Sequence, residues 1–101
     1  GEDNTASGRG SFVGGGGSNQ ATGLSSFIGG GTLNCATASY TSVGAGVSNE
    51  ATGACAFVGG GDTNVASGIG ATIGGGVGNI ASNTSTTVAG GGIRSPGHVV
   101  L

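Results

Sequence analysis

Gly61-Asp62-Thr63-Asn64-Val65-Ala66-Ser67-Gly68-Ile69-Gly70-Ala71-Thr72-Ile73-Gly74-Gly75 decides the fold, because it recurs along the chain. Fifteen residues later Asn64, Ala66, Ser67 and Ile73 return as Asn79, Ala81, Ser82 and Val88. Fifteen residues earlier they stand as Asn49, Ala51, Thr52 and Val58. Counted from a leading glycine (Gly1, Gly16, Gly31, Gly46, Gly61, Gly76, Gly91), the chain is one unit of fifteen, copied six times and started a seventh. The fourth position is Asn4, Asn19, Asn34, Asn49, Asn64 and Asn79. The sixth is Ala6, Ala21, Ala36, Ala51, Ala66 and Ala81, and the seventh is always Ser or Thr. The thirteenth is β-branched throughout: Val13, Ile28, Val43, Val58, Ile73 and Val88. No insertion or deletion interrupts the six copies. A period this short and this strict is the signature of a solenoid, in which each repeat is one turn stacked on its neighbours.

Each unit contains two strand-like pieces. Asn-x-Ala-Ser/Thr leads to a turn at the eighth position, which is Gly except at Ala38 and Asn83. The second piece, as in Ser11-Phe12-Val13, runs into a cluster of glycines. Glycine reaches positive φ without steric cost, so the clusters read as sharp reversals. The expected architecture is therefore all-β: a parallel β-solenoid with one rung per fifteen residues over 1–92. With rungs about 4.8 Å apart, this makes a rod of about 30 Å. Residues 93–101, which contain Arg94, Pro96 and His98, break the pattern. They read as a terminal or transition segment, since Pro cannot donate to a ladder.

Alternation sends the fourth, sixth and eighth positions to one face and the eleventh and thirteenth to another, with the apolar columns inward. The six asparagines are expected to stack and to hydrogen-bond up and down the rod. The interior is thin. Burying a Val or Ile contributes about 1.5–3 kcal/mol, against roughly 15–30 kcal/mol of backbone entropy for fifteen residues. Chains packed side by side would bury a second face. The twelfth position, with Phe12, Phe27 and Phe57, points away from its β-branched neighbour and is the expected interchain contact.

Composition removes several function classes. Of 101 residues 27 are Gly, but they are clustered and accompanied by a single Pro, unlike collagen. Few charges and abundant Val, Ile and Thr argue against disorder. Arg9 and Arg94 are the only cations, so nothing resembles a nucleic-acid footprint. No apolar run approaches the roughly 20 residues of a membrane span. The chain opens on Gly1, which reads as a segment of something longer.

No catalytic, cofactor or metal site is expected. The glycine clusters lack the Lys-Ser/Thr of a phosphate loop, and their sixfold recurrence marks them as architecture. Calcium-binding solenoids need an Asp in every repeat, whereas only Asp3 and Asp62 occur. His98 is the lone histidine, and Glu2, Asp3, Glu50 and Asp62 are scattered. Cys35 and Cys55 fall at the fifth and tenth positions, a placement that disfavours a disulfide and suits small filler residues.

The pattern Asn-x-Ala-Ser/Thr-Gly-x-x-Ser-x-Val/Ile-Gly-Gly-Gly, clearest over 4–16 and 19–31, resembles the head repeats of YadA-type trimeric autotransporter adhesins. It is also similar to glycine-rich repeats in the tail fibres of bacteriophages, cyanophages among them. The likeness covers 1–92. It implies a left-handed β-roll that assembles as a homotrimer, works outside the cell or on a virion, and joins further fibre domains, virion proteins or a host-surface receptor. Phage fibres of this kind often end in a self-cleaving chaperone with a Ser–Lys dyad, and this chain has no Lys. A fibre shaft is the favoured function and an adhesin head the alternative. Shaft is preferred because Tyr40 is the only Tyr and the charges never align. Ice binding ranks last, because the Ser/Thr column at the seventh position has no matching second column.

Overall fold

The structure, a computed structural model, describes residues 1–91. The expected terminal segment 93–101, with Arg94, Pro96 and His98, lies outside the described residues, as does residue 92 of the expected solenoid.

The architecture is an all-β parallel solenoid with turns fifteen residues apart. Strands β1 (Thr5–Ala6), β3 (Gln20–Ala21), β5 (Cys35–Ala36), β7 (Glu50–Ala51), β9 (Val65–Ala66) and β11 (Ile80–Ala81) form one parallel sheet in that order. Strands β2 (Phe12–Val13), β4 (Phe27–Ile28), β6 (Ser42–Val43), β8 (Phe57–Val58), β10 (Thr72–Ile73) and β12 (Thr87–Val88) form the other. Every partner is the same position of the next unit, as in Ala6 with Ala21, or Val13 with Ile28. The absence of insertions thus translates directly into an unbroken register. The described residues measure 36 × 23 × 12 Å.

A rung holds three ladder pieces rather than the two expected. Glu2, Gly17, Thr32, Val47, Asp62 and Val77, at the second position, form a third line of parallel bridges. Their side chains share no chemistry, so no strand propensity announces them. The neighbouring backbone imposes the pairing: the N–H of Thr32 donates to the Gly46 carbonyl at 2.9 Å, and that of Ser48 to the Thr32 carbonyl at 2.9 Å.

The core is one file of alanines facing one file of β-branched residues. Ala21, Ala36, Ala51, Ala66 and Ala81 are buried, as are Ile28, Val43, Val58, Ile73 and Val88. In the first rung Ala6 is exposed and Val13 half-buried, since a rung needs neighbours on both sides to be covered. The eleventh position fills the remaining gap with Ser26, Thr41, Ala56 and Ala71, all buried.

The turns differ from the sequence expectation. Within the glycine clusters only the first position of each unit is left-handed, with Gly16, Gly31, Gly61 and Gly76 at φ of 90, 96, 95 and 98°. The third and tenth positions are left-handed as well, and apart from Gly10, Gly70 and Gly78 ordinary residues do it, among them Leu33 at 60°, Tyr40 at 61° and Cys55 at 62°. At the eighth position the need for Gly is steric. A Cβ on Gly8, Gly23, Gly53 or Gly68 would run into the backbone carbonyl at the same position of the next rung.

Candidate functional site

The asparagine column is the polar spine of the rod. Asn19, Asn34, Asn49, Asn64 and Asn79 are fully buried. A buried amide is costly unless its donors and acceptor are used, and here they are. The Nδ2 group of Asn64 donates to Oδ1 of Asn49 at 3.1 Å, to the Gly60 carbonyl at 2.9 Å and to the Gly76 carbonyl at 2.9 Å. Its Oδ1 accepts from the backbone N–H of Asn79 at 2.9 Å and from Nδ2 of Asn79 at 3.2 Å. One side chain therefore ties its own glycine corner to the rungs on either side. Asn4, half-buried in the first rung, donates to the Gly16 carbonyl at 2.9 Å. At the other end Oδ1 of Asn79 is buried with no partner among the described residues.

The outward columns are what a partner would meet. Phe12, Phe27 and Phe57 are 51, 41 and 42% exposed. Each ring is folded back along the glycine two residues on: a Cβ built on Gly14, Gly29 or Gly59 would lie 3.2–3.5 Å from a ring carbon. Phe12 and Phe27 stack with centroids 5.2 Å apart and planes 5° from parallel. Their faces thus meet along the rod axis, which leaves ring edges outward. Ser42 separates this pair from Phe57. The Ser/Thr column of Ser7, Thr22, Thr37, Thr52, Ser67 and Ser82 is exposed in every rung. Leu24, Leu33, Tyr40, Val47, Ile69, Val77 and Ile80 are exposed at variable positions.

Groups with chemical potential are kept apart. Cys35 and Cys55 are free thiols, the first half-buried and the second exposed. Burial, and secondarily the Glu50 carboxylate paired with it one rung on, pushes the Cys35 thiol above its ordinary value. Glu2 and Asp62 lie on the same bridge column, four rungs apart, while Glu50 sits on β7. Among the described residues no three His, Cys, Asp or Glu side chains gather to hold a metal, and no helix is long and apolar enough to cross a membrane. Arg94 and His98 fall outside the described residues.

Comparison of the sequence with models of known protein families and with curated proteins finds no match.

Proposed function

We propose that the chain is a structural segment of an attachment fibre: a stretch of shaft in a homotrimeric viral tail fibre that supports host recognition outside the cell. The observation that carries this reading is the unbroken fifteen-residue register over six rungs, tied along its length by the asparagine spine. A shaft needs length and stiffness, and both follow from repeating one rung without a loop insertion. The tail-fibre assignment rests on the resemblance of the repeat to phage-fibre sequences. In this reading the chain has no enzymatic activity and takes no cofactor. It joins further fibre domains or virion proteins, and no nucleic acid or membrane insertion is involved.

The trimer rests on a physical argument as well. The interior offers little more than one Ala and one Val or Ile per rung, with Ala56 and Ala71 added in two of them, and the edges of Phe12, Phe27 and Phe57 supply a second apolar line for neighbouring chains. Native mass spectrometry tests it directly. Three chains per particle are expected, falling to one when Phe12, Phe27 and Phe57 are all changed to Ser. A particle of one chain at micromolar concentration would overturn the assembly.

A second reading, the head of a trimeric adhesin on a bacterial surface, is favoured by the exposed Leu33, Tyr40, Val47, Ile69 and Ile80 at variable positions. Tight binding of a host-matrix protein or glycan through the sides of the purified rod would select it over a passive shaft.

A further inference from the structure

One boundary between rungs is built less well than the others. Gly8, Gly23, Gly53 and Gly68 each donate a backbone bond to the buried alanine carbonyl of the next rung, at 3.2–3.4 Å. Within the same corners the N–H groups of Ser11, Ser26, Ala56 and Ala71 close onto those glycine carbonyls at 3.0–3.2 Å. The third rung, residues 31–45, has Ala38 at that position and forms neither bond; only the Thr41 hydroxyl reaches the Ala38 carbonyl, at 2.8 Å. The cause is steric. A Cβ at this position aims at the backbone of the next rung, and Ala38 carries one; the bonds on either side of it, Thr37 N–H to the Ala51 carbonyl at 3.2 Å and Cys55 N–H to the Ser39 carbonyl at 2.9 Å, are kept.

One further defect falls on the same boundary. Asn19, Asn34, Asn64 and Asn79 each pass an amide bond to the asparagine below at 3.1–3.2 Å, whereas Asn49 bonds Asn34 through its backbone N–H alone.

We propose that the solenoid opens at this seam, between residues 31–45 and 46–60, so that it moves as two three-rung blocks. In a linear stack each rung touches only its neighbours, so the weakest interface sets where the stack parts. Simple end fraying would make the central seam the best protected of all. The seam reverses that order and gives the rod a fixed place to bend or be clipped. This inference depends on the solenoid alone and stands whether or not the fibre reading does.

Native-state hydrogen exchange on the full chain tests it. The amides of Thr32, Cys35, Thr37, Ser42 and Gly44 donate across the seam. Their counterparts Gly17, Gln20, Thr22, Phe27 and Gly29 donate one boundary earlier, and Val47, Glu50, Thr52, Phe57 and Gly59 one boundary later. The first set is expected to exchange together and about tenfold or more faster, the scale of the two cross-seam bonds that are missing, one from the Ala38 N–H and one from the Asn49 amide. Ala38→Gly removes the obstructing methyl and is expected to bring the set level with its counterparts. Equal or slower exchange at the seam would overturn the proposal, as would an Ala38→Gly chain whose seam exchanges no more slowly than before.

Discussion

Replacing Asn64 by Ala tests the role given to the asparagine spine. The substitution removes five hydrogen bonds, but most of the groups involved keep another partner. The Gly76 carbonyl retains the Asp62 N–H, Oδ1 of Asn49 retains the Asn64 N–H, and Nδ2 of Asn79 retains the Gly75 and Gly91 carbonyls. Two groups lose the partner they have: the N–H of Asn79 and the carbonyl of Gly60. A buried polar group left unpaired costs about 1–3 kcal/mol; the buried Asn79 N–H carries that in full and the half-buried Gly60 carbonyl only part of it, so the expected loss is about 1–4 kcal/mol. That is a large share of the roughly 5–15 kcal/mol available to a domain. Asn4→Ala is the end-rung comparison: it likewise frees a backbone N–H, that of Asn19, but at a half-buried site on the open end of the stack where water can take the place of Asn4, so about 1 kcal/mol or less is expected. Urea unfolding of both variants at one protein concentration reads the difference. If Asn64→Ala cost no more than Asn4→Ala, the spine would be decoration and the reasoning would fail.

The charged analogue separates hydrogen bonding from volume. Asn64→Asp places a buried carboxylate against the carbonyls of Gly60 and Gly76, which raises its pKa. The sign follows: the folded form holds its proton more tightly, so the variant should regain stability as pH falls towards about 4 and lose it above; a flat urea midpoint between pH 7 and 4 would contradict this. Glycines should divide by place. Gly61→Ala, at φ 95° and aimed at the next rung, should lose at least about 1–3 kcal/mol in thermal unfolding. Gly75→Ala meets nothing within 4 Å, and Ala45 already occupies that position, so its melting temperature should be unchanged or slightly raised. Maleimide should label exposed Cys55 faster than half-buried Cys35 at pH 8, with the gap narrowing as pH rises and the Cys35 thiol ionises; equal rates would refute the burial assigned to Cys35.

The register was legible because it is written fifteen residues apart, and a parallel stack needs little more than that. The inward direction of Ala66 and Ile73 also followed from alternation within a single rung. The third ladder was not legible. Val47 and Asp62 pair in it side by side, and a line whose side chains share nothing leaves no periodic trace. The left-handed corners were hidden for a related reason. Leu33 and Tyr40 have no local preference for positive φ; they adopt it because ladders on both sides of each corner fix where the chain must turn. The glycine at the eighth position was visible, but its reason was not. It serves the close approach of two rungs, a relation that exists only once the stack is formed. The outward columns remain the least legible, because exposure at Phe12 or Ile80 follows from the fold whereas a partner does not.

Removing one whole rung tests the central claim most directly. Deleting residues 61–75 joins Gly60 to Gly76 and should restore every ladder with one strand fewer in each sheet. The account predicts a folded, cooperative chain whose long dimension in X-ray scattering shrinks by about one strand spacing, 4.8 Å. Deleting residues 61–68 instead leaves half a rung, residues 69–75, whose β10 strand follows β8 with no first-sheet strand between them, so that chain should be much less stable than the whole-rung deletion. If the half-rung deletion were as stable as the whole-rung one, a register-bound solenoid would not be the structure of this protein.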